Sequence, residues 1–190
     1  MRKLVVLITL SLLVSGQAFA KEFRGSRVGI GYGFTMGDYD NWNDIWYDGK
    51  SGGGLALTYG YDFNRVVGLN INYQGNKGTE DKSELSGTSS SFDLDIGWAM
   101  DFDSWYLKPY GAIGYGKHLQ DVKQYKGHSC SYGVCSDIFH EDSFNEGGIL
   151  IGVGFRAQLN NDVFFELRDD SIVGSDIISG RTALLVGFRF

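Results

Sequence analysis

The last ten residues of the chain, from Arg181 to Phe190, alternate between two kinds of side chain. Leu184, Val186, Phe188 and Phe190 fall on one side of an extended chain, and charged or small residues fall on the other. A period of two is typical of a β-strand with one apolar face. In an open sheet, such a strand would leave an exposed apolar edge that invites aggregation. Closure of the sheet into a barrel removes that edge, so this stretch favours a barrel.

The beginning of the chain is typical of a secretory signal peptide. A basic pair, Arg2–Lys3, precedes an apolar run from Leu4 to Val14, and Ala18–Phe19–Ala20 provides small residues around a cleavage site. The run is shorter than the roughly 20 apolar residues that a membrane-spanning helix needs. We therefore expect residues 1–20 to be removed and residues 21–190 to form the mature domain.

Composition, charge and the length of apolar runs exclude three classes of protein. The sequence has 28 glycines, one proline and 15% aromatic residues, which fits strands with narrow faces and not a disordered chain. Its formal charge is −6, and loss of Arg2 and Lys3 with the leader makes the mature chain more acidic still. Because nucleic acid attracts basic surfaces, it is excluded as a partner. No second apolar run approaches the length of a spanning helix, so a helical membrane protein is excluded as well.

Eight stretches of period-two alternation occupy the mature chain. We predict strands at residues 26–36, 53–62, 67–74, 89–100, 105–116, 147–159, 163–169 and 181–190. Each carries large apolar residues on one face and mostly Gly, Ala or Ser, with a few charges, on the other. A soluble barrel or sandwich would bury its apolar row and turn its charges outward. The pattern predicts an all-β fold, namely an eight-stranded antiparallel transmembrane up-and-down β-barrel whose apolar face meets lipid.

The connections between these strands alternate in length. Short turns follow the second, fourth and sixth strands, whereas longer segments at 37–52, 75–88, 117–146 and 170–180 are predicted to be loops. Outer-membrane barrels have short periplasmic turns and longer extracellular loops, so both termini should be periplasmic. Pro109 cannot donate to a strand ladder, which predicts a bulge or a missing hydrogen bond in the fifth strand.

Three motifs carry a resemblance to a known family: Tyr59–Asn64, Lys108–Gly116 and the terminal Gly187–Phe190. They resemble the eight-stranded outer-membrane β-barrel family, which contains the transmembrane domain of outer-membrane protein A and small adhesion and serum-resistance barrels. The resemblance implies a location in the cell outer membrane. It also implies that Phe188 and Phe190 form the signal read by the barrel-assembly machinery. Members of this family serve as adhesins, envelope anchors and possible small pores, so the resemblance specifies the fold more closely than the function.

Charged residues at mid-depth of the inward face are predicted to meet inside the barrel. They are Asp93, Asp95, Lys108, Arg156, Glu166 and Arg168. An eight-stranded barrel is just wide enough for side chains to fill it, and an unpaired buried charge is costly. We expect a lumen salt-bridge network in which Lys108 pairs with Asp95 or Glu166. Such a network could specify the barrel, or it could act as a polar plug that gates ions.

Cys130 and Cys135 lie close together in the longest predicted loop, and an oxidising compartment permits a disulfide between them. Metal ligation by the same pair is the alternative, although two thiols alone make a poor site. The three histidines, His118, His128 and His140, lie at or within the same predicted loop and are spaced too widely for zinc. We therefore assign no catalytic residue, no metal site and no cofactor.

The predicted outer rim remains as the candidate contact surface. The first loop carries Tyr39, Trp42, Trp46 and Tyr47, and the fourth carries Ile172, Val173, Ile177 and Ile178. Exposed aromatic and aliphatic residues suit contact with a protein or a glycan, or with lipopolysaccharide. We expect a non-enzymatic, monomeric barrel that acts in surface interaction, adhesion or envelope integrity. Its expected partners are outer-membrane lipid and lipopolysaccharide, the barrel-assembly machinery, and a host or surface protein or glycan. A small ion-conducting pore is the alternative, followed by an enzyme that modifies lipid A.

Overall fold

The computed structural model describes residues 23–39, 51–80, 82–131, 134–159, 162–174 and 177–190. The expected signal peptide and the loop residues Trp42, Trp46 and Tyr47 lie outside the described residues. Tyr39 ends the first strand, but its side chain is also outside the description. Within the described ranges, no helix has the length and apolar character needed to cross a membrane.

The described part of the chain forms nine hydrogen-bonded strands. They are β1 (Gly25–Tyr39), β2 (Ser51–Asp62), β3 (Val67–Glu80), β4 (Ser83–Gly97), β5 (Met100–Phe102), β6 (Trp105–Ser131), β7 (Val134–Leu159), β8 (Val163–Val173) and β9 (Ile177–Arg189). Except for β4 and β5, sequential strands pair in antiparallel fashion; β1 also pairs with β9, and β4 pairs with β6. The sheet therefore closes on itself.

β4 and β5 are two parts of one strand of the barrel wall. Gly97 of β4 pairs with Tyr110 of β6, and Met100 of β5 pairs with Leu107 in the same register. Counting β4 and β5 as one gives a closed eight-stranded antiparallel barrel, which confirms the predicted fold.

The interruption between β4 and β5 has a local cause. It falls at residues 98–99, and the shared register puts Pro109 of β6 opposite Trp98. Proline has no N–H with which to complete that cross-strand pair. Because the register is unchanged on both sides of the gap, Pro109 produces a missing bond without a bulge.

The two faces of the barrel differ as the alternation predicts. On β1, the outward side chains of Val28, Ile30 and Phe34 are 49%, 52% and 52% exposed. The inward positions between them are glycines, and a Cβ on Gly31 would lie only 1.9 Å from the carbonyl oxygen of Leu184 on β9. The outward row forms the apolar surface that meets lipid in outer-membrane barrels.

Three segments predicted to be loops are mostly strand, so those predictions are wrong. β3 and β4 extend to Glu80 and Ser83, β6 and β7 to Ser131 and Val134, and β8 and β9 to Val173 and Ile177. The first predicted loop is shortened by β1 and β2, and its residues 40–50 are outside the description. Beyond the apolar band water can reach both faces of a strand, so the alternation that reveals a half-buried strand is lost.

The longest extension belongs to β6 and β7. Tyr115 and Ile149 pair at the limit of the outward apolar rows, and the two strands continue as partners to Ser131 and Val134. At about 3.4 Å per residue, this continuation is on the order of 50 Å long along the strand. We call residues 117–131 and 134–148 the outer ribbon. β4 accompanies β6 along it as far as the pair of Glu84 with Lys123.

Candidate functional site

Ten charged side chains meet inside the barrel, and none is more than 5% exposed. The cations are Arg27, Lys108, Arg156, Arg168 and Arg181, and the carboxylates are Asp62, Asp93, Asp95, Glu166 and Asp170. They project from seven of the strands, so the ion pairs link opposite sides of the wall. Five formal positive charges meet five negative ones, and the group is balanced.

Asp95 is the centre of the network. Its carboxylate accepts hydrogen bonds from Lys108 Nζ at 2.5 Å, Arg27 Nη2 at 2.9 Å and Arg156 Nη2 at 3.2 Å. Asn70 Nδ2 donates a fourth, at 3.2 Å. Three cations therefore share this one carboxylate.

The same three cations also contact Asp62. Arg27 Nη1 lies 2.6 Å from Asp62 Oδ1, and Arg156 Nη1 and Lys108 Nζ lie at 3.5 and 3.7 Å. Arg156 Nε also donates to Glu166 at 2.8 Å, and the hydroxyl of Tyr110 donates to the same carboxylate. Each of these cations therefore has at least two carboxylate partners.

A second part of the network lies toward the end of the barrel from which the outer ribbon extends. Arg168 Nη2 donates to Asp93 at 2.7 Å, and Arg168 Nε donates to Asp170 at 2.7 Å. Arg181 Nη2 reaches both Asp170 at 2.8 Å and the hydroxyl of Ser91 at 2.9 Å. A void of about 20 Å³ beside Arg168 and Arg181 has room for a single water molecule.

All six residues expected in the lumen belong to this network, and Lys108 lies against Asp95. Four members escaped the sequence reasoning: Arg27, Asp62, Asp170 and Arg181. Each of the four is an even number of positions away from the other inward-facing residues of its strand. This alternation is the signal that could have identified them. Asp170 was placed in a predicted loop, and the other three lie at the ends of predicted strands.

Buried apolar groups occupy another part of the lumen. Tyr110, Ala112, Leu150 and Ile172 form an internal cluster, with Leu150 fully buried and Ile172 2% exposed. Ile172 was expected on an exposed loop. That prediction is wrong because β8 continues to Val173, and its alternation of inward and outward side chains still turns Ile172 inward. The side chains of Ile177 and Ile178 are outside the description.

Phe23 closes the turn end of the barrel. Its side chain is 5% exposed, and its ring centroid lies 4.7 Å from that of Tyr106. The guanidinium carbon of Arg65 lies 4.3 Å from the Phe23 centroid, and that of Arg189 lies 5.7 Å away. The lumen is therefore occupied from the turn end through the charged layers to the apolar cluster.

His118 was expected in a loop but lies on β6, facing inward and 1% exposed. Its Nδ1 is 2.6 Å from the hydroxyl of Ser89, and its Nε2 is 3.1 Å from Gln120 Oε1. His118 lies on the same inward-facing side of β6 as Ala112 and Gly114, which explains its burial. Because this Ser–His pair faces the interior, it cannot reach lipid outside the barrel. His128 and His140 are exposed on the outer ribbon.

The end of the outer ribbon is covalently tied. Cys130 and Cys135 are opposite each other in the β6–β7 register and form a disulfide, which confirms that prediction over metal ligation. Within the described ranges, no group of three or more His, Cys, Asp or Glu residues is placed to hold a metal ion.

Side chains on one face connect the ribbon to the β3–β4 turn. Lys82 Nζ donates to Asp137 at 3.2 Å, a hydrogen bond that raises the pKa of this lysine. The same ammonium lies 4.7 Å from the centroid of Tyr125, whose ring is 5.7 Å from that of Phe139. Lys123 covers the other side of this group, 4.7 Å from the Phe139 centroid. The rings of Tyr125 and Phe139 therefore contact side chains from both the β3–β4 and the β6–β7 hairpins.

Comparison with known proteins identifies one family model over most of the chain. The model describes an outer membrane protein beta-barrel domain and matches residues 6–176. A search of curated protein sequences finds no match.

Several solved structures share the fold. The attachment invasion locus protein Ail of Yersinia pestis, in complex with the heparin analogue sucrose octasulfate, has a TM-score of 0.58 and 19% identity; the alignment covers 88% of this chain and 99% of Ail. Neisserial surface protein A has a TM-score of 0.52 and 17% identity, over 87% of this chain and 97% of that one. The N-terminal β-barrel domain of Pseudomonas aeruginosa OprF has a TM-score of 0.50 and 17% identity, over 88% and 99%.

Proposed function

The chain belongs to the outer membrane protein beta-barrel family and is an outer-membrane protein, and we propose that it acts through its long outer strands in surface interaction or adhesion. Envelope integrity is a second role compatible with the same location. A pore and a lipid-A-modifying enzyme are the alternatives.

The proposal requires the outer ribbon to face the cell exterior. In outer-membrane barrels the short turns are periplasmic and the long connections extracellular. The short connections here, after β2, β5 and β7, lie at the same end as Phe23 and Phe190. Removal of residues 1–20 as a signal peptide would leave the new terminus at this periplasmic end. Phe188 and Phe190 would then lie at the periplasmic end of the closing strand, where the assembly machinery would recognise them.

The single observation that carries the proposal is the length of β6 and β7 beyond the apolar band. An extension on the order of 50 Å is not needed to span a bilayer, which takes about ten tilted residues per strand. It presents exposed side chains such as Ile138 and Phe139, at 48% and 38% exposure, well away from the lipid surface. Exposed apolar and aromatic residues of this kind suit contact with a partner.

The lumen argues against the pore alternative. Ion pairs, the Leu150–Ile172 cluster and Phe23 occupy successive levels of an eight-stranded barrel, which has little room to spare. The lipid-A enzyme is disfavoured because the Ser89–His118 pair is enclosed within the barrel. A role as a contact surface needs neither an open channel nor a reactive centre.

The partner class is suggested only by analogy. The Ail structure contains the heparin analogue sucrose octasulfate, so sulfated glycans and extracellular proteins are the two classes to test. Lipopolysaccharide and phospholipid would contact the apolar band in either case.

Truncation of the outer ribbon tests the proposal. Val122 and Asp142 are paired, so residues 123–141 can be replaced by an Asn-Gly turn, which suits a two-residue hairpin. We expect the shortened barrel to fold, as shown by its heat-dependent gel mobility, but to lose binding to immobilised heparin or to a panel of extracellular-matrix proteins. Full binding by the truncated barrel would refute the proposal. A matched variant with both cysteines changed to serine keeps the ribbon and controls for loss of the disulfide.

A further inference from the structure

A cavity of about 940 Å³ opens at the mouth of the barrel, where the outer ribbon begins. Its size lies within the range of about 300–1,000 Å³ that small-molecule sites occupy. Five strands line it, with residues 53–55 of β2, 75–77 of β3, 84–88 of β4, 119–121 of β6 and 143–145 of β7. We call this cavity the vestibule. The surface role proposed for the ribbon does not use it.

The charged residues that line the vestibule lie on the outer face of the barrel wall. They are Lys77, Glu84 and Asp121, and each is exposed and follows or precedes a buried residue of its strand. Because successive side chains of a strand point to opposite faces, these three charges point away from the interior. Among the described lining residues, the side chains that point inward are therefore neutral.

Two buried amides form the floor of the vestibule. Asn76 and Gln120 are 4% and 2% exposed, and Asn76 Nδ2 donates to Gln120 Oε1 at 2.7 Å. Asn76 Oδ1 is buried and accepts no hydrogen bond from the described residues. A Cβ on Gly87, which also lines the cavity, would be only 3.1 Å from this oxygen. The floor therefore presents an unpaired acceptor, which a donor from a ligand would stabilise.

The same floor also supplies a donor. Gln120 Nε2 has two protons and donates to Asp121 O at the long distance of 3.5 Å. An acceptor and a donor side by side match a hydroxyl group, which both donates and accepts. Leu85 and Phe144 add apolar groups to the wall, which suit the carbon-bound hydrogens of a sugar ring. We propose that the vestibule binds a neutral saccharide through Asn76 and Gln120.

The neutral floor selects against charged ligands. A sulfated or carboxylated sugar would lose its hydration there without meeting an opposite charge, which is unfavourable. Sulfated glycans, suggested for the ribbon by analogy with Ail, therefore do not suit the vestibule. This inference goes beyond the proposed function and rests on it only for the outward orientation of this end of the barrel.

Substitution of Asn76 by leucine tests the site. Leucine is close to asparagine in size, but it removes both the unpaired acceptor and the donor to Gln120. Lys77→Gln is the matched control, because it changes the next residue of the same strand on the outer face. The probes are three neutral trisaccharides, maltotriose, cellotriose and mannotriose, and their fully O-sulfated forms. Binding to the purified protein is measured by titration calorimetry in a detergent without a sugar headgroup.

We expect at least one neutral trisaccharide to bind the wild type and Lys77→Gln with equal affinity, and to bind Asn76→Leu at least tenfold more weakly. Affinity for the sulfated forms should be the same in Asn76→Leu and the wild type. The proposal is overturned if no neutral probe binds, if Asn76→Leu binds it as tightly as the wild type does, or if the sulfated forms lose affinity equally. Gln120→Leu serves as a second variant if Asn76→Leu fails to reach the folded gel mobility.

The outcome is separable from that of the proposed function. Replacement of residues 123–141 removes the ribbon beyond the vestibule and keeps the lining residues 119–121 and 143–145. If that truncation abolishes heparin or matrix binding while Asn76→Leu leaves trisaccharide binding unchanged, the surface role of the ribbon stands and the vestibule site is wrong. If the truncated barrel keeps its heparin or matrix binding, the surface role of the ribbon is wrong, whatever the trisaccharides show.

Discussion

Asp95→Asn is the substitution that probes the lumen most sharply. Asparagine keeps the size of the side chain and one carbonyl acceptor but removes the charge that Arg27, Lys108 and Arg156 share. All four side chains are at most 3% exposed, so water cannot replace the lost carboxylate without rearrangement of the lumen.

The expected cost follows from these contacts. Breaking a buried ion pair by removing one partner typically costs about 3–5 kcal/mol. Here each cation retains Asp62, and Arg156 also retains Glu166, so the cations are not left isolated. We therefore expect a loss of about 3–5 kcal/mol in the free energy of unfolding, and not three times that amount.

Lys108→Met should cost less than Asp95→Asn. Without Lys108, Asp95 and Asp62 each keep contacts with Arg27 and Arg156, and the methionine fills most of the vacated space. A loss of about 1–3 kcal/mol, the range for hydrogen bonds to charged groups, is expected. Glu141→Gln is the control, because its 3.6 Å pair with Lys123 is exposed and should be worth less than about 1 kcal/mol.

The assay is reversible urea unfolding in phospholipid vesicles, followed by tryptophan fluorescence and gel mobility. The predicted order of destabilisation is Asp95→Asn, then Lys108→Met, then Glu141→Gln. If Asp95→Asn unfolded at the same urea concentration as Glu141→Gln, the lumen would be hydrated and its ion pairs would not stabilise the barrel.

Three further predictions concern assembly, orientation and the ribbon. Deletion of Phe190 should lower the amount of folded protein in the outer membrane, and wild-type levels would argue against a role in assembly. An epitope tag inserted near Thr79, at the end of β3, should be accessible on intact cells; detection only after permeabilisation would reverse the topology. Serine at both Cys130 and Cys135 should leave the heat resistance of the barrel unchanged, because closing so small a ring contributes only about 2 kcal/mol at the ribbon end. A large fall in the barrel's unfolding temperature would contradict that reasoning.

The sequence predicts the barrel well wherever a strand has one face in lipid. Val28, Ile30 and Phe34 alternate with glycines because one side must be apolar and the other must fit a narrow lumen. The same rule predicts the closing strand, and the missing N–H of Pro109 predicts the missing hydrogen bond. These features depend on local chemistry that a single strand reveals.

The rule fails where both faces of a strand are polar. Residues 117–146 were expected to be a loop because they lack an apolar row, although each described residue among them has a cross-strand partner or borders one. Pairing between two polar strands depends on the neighbouring strand and not on burial of a face, so a one-strand pattern cannot show it. His118 was misplaced for the same reason.

The missing members of the lumen network show a related limit. Arg27 and Asp62 lie on the same inward-facing side of their strands as Gly29 and Gly60, at the ends of the predicted strands, and they were not assigned to the network. Parity indicates that a side chain enters the lumen, whereas the partner it meets there depends on how far each strand is staggered. The pairing of Arg27 with Asp95, from β1 to β4, is a property of the closed barrel.

Single-channel recording in planar lipid bilayers tests the central claim most directly. If the lumen is filled and the protein acts through its outer strands, purified protein that shows the folded gel mobility should insert without producing steady conductance steps. Reproducible steps whose size increases with salt concentration, in preparations free of other porins, would mean that ions pass through the barrel and would contradict the account.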